Sequence, residues 1–238
     1  VETLVVPDTA KLFDLKRDRY AVEQNTIKNV VLPYGLEEIN NNSFMTFKAL
    51  ESIVIPNTVT RIGENAFKDS DITNITLPKS LSTLGTGVFN GTNLENVIVQ
   101  STNLVTADKV FSLSKIKNLT IEEGVTNILD YMFYLTEFFS EIVIPSTVTH
   151  IGDYAFLDTQ NTPFFEVSFA ENSQLVYVGP WAFGQRAGLT NIVLPDSVQE
   201  ISEYAFGNCR NLATASIPSG CVVADNAFQS TTCEVTYR

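Results

Sequence analysis

Apolar residues recur along this chain on two scales. On the short scale, Ile53-Val54-Ile55-Pro56, Ile75-Thr76-Leu77-Pro78, Ile142-Val143-Ile144-Pro145 and Ile192-Val193-Leu194-Pro195 alternate with period 2 and then meet a proline. Alternation puts the outer two residues of each triplet on one face of a short strand, so Ile53 and Ile55 point inward and Val54 outward. Proline has no N–H to give a ladder, and ends the strand. On the long scale, Phe44, Phe67, Phe89, Phe111, Phe133, Phe156, Phe183, Phe206 and Phe228 follow one another at 23, 22, 22, 22, 23, 27, 23 and 22 residues. A fixed period of this size predicts a stack of coils and not a compact globule.

Between these landmarks each unit carries an aliphatic three residues and six residues after its proline, then Gly and Ala-Phe, as in Val59, Ile62, Gly63 and Ala66-Phe67. A strand of three or four residues is unstable alone and is predicted to pair in parallel with the same segment of the next coil, about 4.8 Å away. Eleven such strands are expected, beginning near Leu4, Val30, Ile53, Ile75, Val97, Leu119, Ile142, Val167, Ile192, Ala215 and Val235. The unit is too short for a full helix, so turns, 3₁₀ segments and short second strands are expected on the return path. Gly63, Gly85, Gly152 and Gly179 are expected at bends of positive φ.

The motif L-x-x-I-x-I-P-x-x-V-x-x-I-G-x-x-A-F, which residues 50–67 and 189–206 follow closely, resembles the BspA-like (Treponema-type) leucine-rich repeat. The resemblance covers residues 25–228. It implies an α/β-class solenoid poor in helix: a right-handed curved coil with a concave parallel sheet and a convex side of turns. One domain over 1–238 is expected, with a degenerate unit at 1–24, regular repeats over 25–228 and a cap strand at 229–238. Gln100 and Glu122 replace the proline, and the unit at 157–183 is longer, with two extra residues within Phe169–Leu175.

Composition narrows the reading. The net charge of −12 argues against nucleic acid, whose binding rests on Lys and Arg neutralising phosphates. No apolar run approaches membrane-spanning length. A start at Val1 inside a strand-like segment points to a processed chain or a piece of a longer protein. Cys221 and Cys233 flank Phe228 and could close the last coil by a disulfide; Cys209 with Cys233 is the competing pair. Cys209 itself falls where other coils place Ser70, Thr92, Ser114, Thr136 and Thr159. Asn-x-Ser/Thr sequons begin at Asn41, Asn74, Asn90 and Asn118.

A repeat turns each position into a row. Val31, Val54, Thr76, Ile98, Thr120, Val143, Ser168 and Val193 form the outward row of the strands, the leading candidate for partner binding, because exposed β-branched residues are costly unless something covers them. A second row, two before each Phe, reads Asn42, Asn65, Gly87, Lys109, Tyr131, Tyr154, Trp181, Tyr204 and Asn226; its aromatic stretch suits either mutual stacking or an interface or glycan contact. A third row, Glu64, Asp108, Asp130, Asp153, Glu203 and Asp225, suits turn capping better than a Ca²⁺ ladder, and no metal or other cofactor is expected. Phe138-Phe139 and Phe164-Phe165 mark the interruption, with Phe139 and Phe164 expected in the core. The single His150 has no nucleophile motif beside it, so no enzyme is expected. Some members of the resembled family are adhesins, and the resemblance implies a secreted or cell-surface, non-catalytic protein-binding module in host–microbe interaction. Its partner would be a protein, such as host extracellular matrix or another microbial surface protein. A passive stalk presenting another domain and glycan binding are the alternatives.

Overall fold

The computed structural model describes residues 3–13, 26–139, 141–159 and 165–238. They pack as two compact units, 1–119 and 120–238. Both are built from the same coil, a helix-poor parallel β-solenoid.

In the first unit, Thr3–Val5 pairs in parallel with Asn29–Val31, and Asn74–Leu77 with Asn96–Val99, each triplet strand opposite its counterpart one coil away. A second ladder runs Leu12–Phe13, Glu38–Ile39, Arg61–Ile62, Thr83–Thr86 and Thr106–Asp108. In the second unit, Ile142–Ile144 pairs with Val167–Phe169, and Asn191–Val193 with Thr214–Ile217 and then Glu234–Tyr237. Its second ladder joins Asn127–Ile128, His150–Ile151, Tyr177–Val178, Glu200–Ile201 and Val222–Val223. The predicted strand at Ile53 is the exception: that segment makes a single bridge, Ser52 to Asn74, and no ladder. Alternation sets the inside and outside. Ile75 and Leu77 are buried, while Thr76 between them is half-buried. The prolines also start turns: the carbonyls of Pro56, Pro78, Pro145 and Pro195 accept from the N–H three residues on, at 3.0–3.2 Å.

The phenylalanines form the core column. Rings stack from Phe13 through Phe44, Phe67 and Phe89 to Phe111 in the first unit, at 4.8–5.2 Å between centroids. In the second they stack from Phe133 through Phe156, Phe183 and Phe206 to Phe228, at 5.1–5.3 Å. Each buried ring contributes roughly 1.5–3 kcal/mol by burial, and stacking adds about 1 kcal/mol. Phe13 reaches the column from a strand position aligned with Ile39, and so caps it from outside the Phe register. Backbone bonds keep the turns in step: the Phe67 N–H donates to the Val88 carbonyl at 2.9 Å, and the Phe183 N–H to the Ala205 carbonyl at 2.8 Å.

The glycines work differently from expectation. Positive φ does not fall at Gly63, Gly85, Gly152 or Gly179; it falls two residues before the Phe, at Asn42, Asn65, Gly87, Lys109, Tyr131, Tyr154, Trp181 and Tyr204, and again two residues after it, as at Thr46, Asp69, Gly91 and Asn208. Gly152 is needed for close approach instead. A Cβ there would lie 2.7 Å from the Asp130 backbone nitrogen and would overlap its carboxylate. Gly63 stands in the same relation to Asn41.

Candidate functional site

The outward strand row is where solvent meets apolar side chains. Val31, Val54, Thr120, Val143 and Val193 are exposed, and Thr76, Ile98 and Ser168 are half-buried. Val54, 82% exposed, contributes almost nothing to the core. In the first unit the polar margin beside this row is self-satisfied: the Asn118 amide donates to Asn96 at 2.7 Å, and the Asn96 amide to Asn74 at 2.6 Å. Lys117 pairs with Glu95 at 2.6 Å. The apolar row has no such internal partner. In the first unit Val30, Val31, Leu32, Tyr34, Val54 and Pro56 line a shallow, almost wholly apolar depression of about 350 Å³. In the second, Ser168 and Val193 line a groove of about 810 Å³.

The aromatic row is tied into the fold. Tyr131 and Tyr154 stack at 4.8 Å, and Trp181 and Tyr204 at 4.6 Å, each pair within 8° of parallel. All four are half-buried and left-handed, with φ near 55°. That conformation costs a non-glycine residue on the order of 1 kcal/mol, which the stacked pair offsets. The rings fold back over the third residue on. A Cβ on Gly207 would sit 3.0 Å from the Tyr204 Cβ, and one on Gly184 would overlap the Trp181 ring.

The acidic row caps backbone between coils. The Asp130 carboxylate accepts the Asp153 N–H at 2.8 Å, and Asn41 does the same for the Glu64 N–H at 2.9 Å. Partial burial and then the neighbouring Asp130 charge raise the pKa of Asp153. Hydrogen bonds from Ser146 hold Glu123 below the usual carboxylate range. Among the described residues no three ligand-type side chains converge. His150 is exposed, 2.8 Å from the Thr149 hydroxyl.

The interrupted coil holds the residue that sequence reasoning missed. Arg186 stands three after Phe183, in the row of small polar residues, and is wholly buried. Its Nε donates to the Phe156 carbonyl, the bond that Ser114 makes to Phe89 at 2.8 Å and Cys209 to Phe183 at 3.1 Å. The longer side chain also reaches the Thr136 carbonyl at 3.0 Å and the buried Asp158 carboxylate at 3.4 Å. The guanidinium lies 4.5 Å from the Phe165 ring centre and 5.4 Å from that of Phe138. Burial pulls the Arg186 pKa down to about 10, against the Asp158 charge. Phe138 is therefore the core residue of its pair and Phe139 is exposed, the reverse of the sequence expectation; Phe164 lies outside the described residues. All three cysteines are free thiols, and burial pushes Cys209 up to about 12.

A family model for the BspA type leucine rich repeat region, in six copies, matches residues 17–138 and 126–237. A leucine rich cell surface protein from Faecalibacterium prausnitzii is similar in structure, with a TM-score of 0.52 and 21% identity over 90% of this chain; the chain spans 64% of that protein. A leucine-rich repeat protein from Bacteroides ovatus aligns over 100% of this chain and 84% of its own length at 19% identity, with a TM-score of 0.46. The pneumococcal vaccine antigen PcpA aligns over 100% of this chain and 78% of its own at 14% identity, with a TM-score of 0.45. No curated protein matches the chain in sequence.

Proposed function

Because the chain belongs to the BspA-type leucine-rich repeat family, we propose that it is a non-catalytic protein-binding module of a secreted or cell-surface protein, acting in adhesion or host interaction. The observation that carries this is the exposed apolar row of the triplet strands, with Val31, Val54, Val143 and Val193 turned to solvent. Parallel solenoids offer such rows as extended contact surfaces for large partners. The F. prausnitzii likeness supports the fold, and that protein's cell-surface character supports the location. The unbroken 22-residue spacing from Phe89 through Phe133 supports one repeat domain over 1–238.

The test is a solid-phase screen against matrix proteins, mucins and glycans with a Val54→Arg/Val143→Arg control. Saturable binding that the control loses supports the reading. Binding that survives both arginines contradicts it. A passive stalk would bind nothing in the screen and tolerate both substitutions. Glycan binding through Tyr131, Tyr154, Trp181 and Tyr204 is the weaker alternative, because each ring already spends one face on its neighbour.

A further inference from the structure

The two units differ in charge. Residues 1–119 carry 13 Asp and Glu against 12 Lys and Arg, whereas residues 120–238 carry 14 against three arginines and no lysine, so nearly all of the net charge of −12 resides in the second unit. In the first, acids meet cations one coil away: Glu37 pairs with Lys11, Asp71 with Lys48 and Glu95 with Lys117, at 2.6–3.2 Å. In the second, Arg186 is buried with Asp158 and Arg238 is held by Asp196. Arg210 is the one exposed arginine outside an ion pair among the described residues.

The imbalance reaches the strand face. Glu141 and Val143 stand on one side of their strand, and Glu166 and Ser168 on the same side of the next, because residues two apart share a face. Val143 lies opposite Ser168 in register, and the Ile142 N–H donates to the Glu166 carbonyl at 2.9 Å, so the two glutamates are cross-strand neighbours. Both are exposed, and neither has a cationic partner among the described residues. In the first unit the same row is Asn74, Asn96 and Asn118, whose amides bond one another. Like charges opposite each other on paired strands destabilise the sheet. Carboxylates in the place of amides therefore work against the fold, and they do so beside valines that stand open to solvent.

We propose that the strand face of the second unit docks a Lys- or Arg-rich surface of a partner protein, whose cations lie over Glu141 and Glu166 and whose apolar atoms cover Val143 and Val193. The proposal rests on the protein-binding reading above and names the partner chemistry of this unit. Charge complementarity selects the occupant. A unit of net charge −11 repels acidic proteins and speeds the approach of basic ones, in a way that salt weakens. The first unit, close to neutral, exerts no such selection.

The experiment measures fluorescence polarisation of labelled decalysine with the whole chain at low ionic strength, with decaglutamate as control and Ca²⁺ as competitor. Two variants remove the same net charge: Glu141→Gln/Glu166→Gln on the strand face, and Glu203→Gln/Asp225→Asn on the turns. Saturable binding is expected for decalysine alone. It should weaken about tenfold in the strand-face variant and no more than about twofold in the turn variant, and Ca²⁺ at matched ionic strength should not displace it. The strand-face variant should also unfold no lower than the parent in a thermal scan, since it removes a repulsion. Absence of saturable binding overturns the proposal. So does an equal loss in both variants, which is attraction to net charge alone. Displacement by Ca²⁺ overturns it by making the glutamates a metal-ion site, and a lowered unfolding temperature overturns it by making them structural. The outcome is separable from the wider reading: a panel partner bound through Val54 and Val143 without decalysine sinks the cationic partner alone, and loss of both sinks both.

Discussion

The triplet-strand face and the turn face of these coils use apolar side chains to opposite ends. On the turns, Trp181 and Tyr204 lie against each other and over Gly184 and Gly207, so one face of each ring is already spent on folding. On the strands, Val54 and Val193 touch solvent and add little to the core. In a repeat protein the same residue class can be structural in one row and free in the next. What distinguishes the rows is whether neighbouring coils let the side chains meet. The face that matters for stability should therefore differ from the face that matters for binding.

The largest stability effect is expected on the turn side, at the buried pair. Asp158→Ala strands the Arg186 guanidinium in the core and should cost about 3–5 kcal/mol in urea unfolding, whereas Asp158→Leu with Arg186→Met should come close to the parent. If the single and double variants lose the same amount, the pair is not the element that matters there. Next comes Gly152→Ala, which forces a Cβ against Asp130 and should cost about 1–3 kcal/mol. Trp181→Ala should cost about 2 kcal/mol through lost stacking and burial. At the equivalent left-handed position of the first unit, Asn65→Gly should be neutral or stabilising by up to about 1 kcal/mol. Equal losses at 181 and 65 would break the claim that stacking, and not the backbone shape, holds the aromatic row. The smallest effect is expected on the strand face, where Val54→Arg and Val143→Arg should each shift stability by no more than about 0.5 kcal/mol.

The coil itself was legible because period is the strongest signal a chain carries. The Phe column, the alternating strands and the outward row all follow from spacing. Phe13 was not legible, because it joins the column from a strand position aligned with an isoleucine. The left-handed row is written in the chain as Asn42, Asn65 and Gly87, residue types that tolerate that conformation, but the later Tyr and Trp obscure it, and the regularly spaced glycines draw the expected bend to themselves. Gly63, Gly152 and Gly179 answer to the capping side chain of the previous coil, and Gly85 to the Glu64 backbone, contacts that spacing alone does not reveal. Arg186 had a signal too. It stands in a row otherwise dominated by Ser, Thr and Cys, inside the 27-residue gap, but a charged residue in that place reads as surface until its partners Asp158 and Thr136 are brought against it.

The decisive measurement is the solid-phase binding screen run side by side on the Val54→Arg/Val143→Arg variant and on Tyr154→Ala/Trp181→Ala, both shown to be folded. The strand-face account predicts that the first variant loses saturable binding and the second keeps it despite its lower stability. Binding kept by the first and lost by the second would contradict the account and move the contact surface to the aromatic turns.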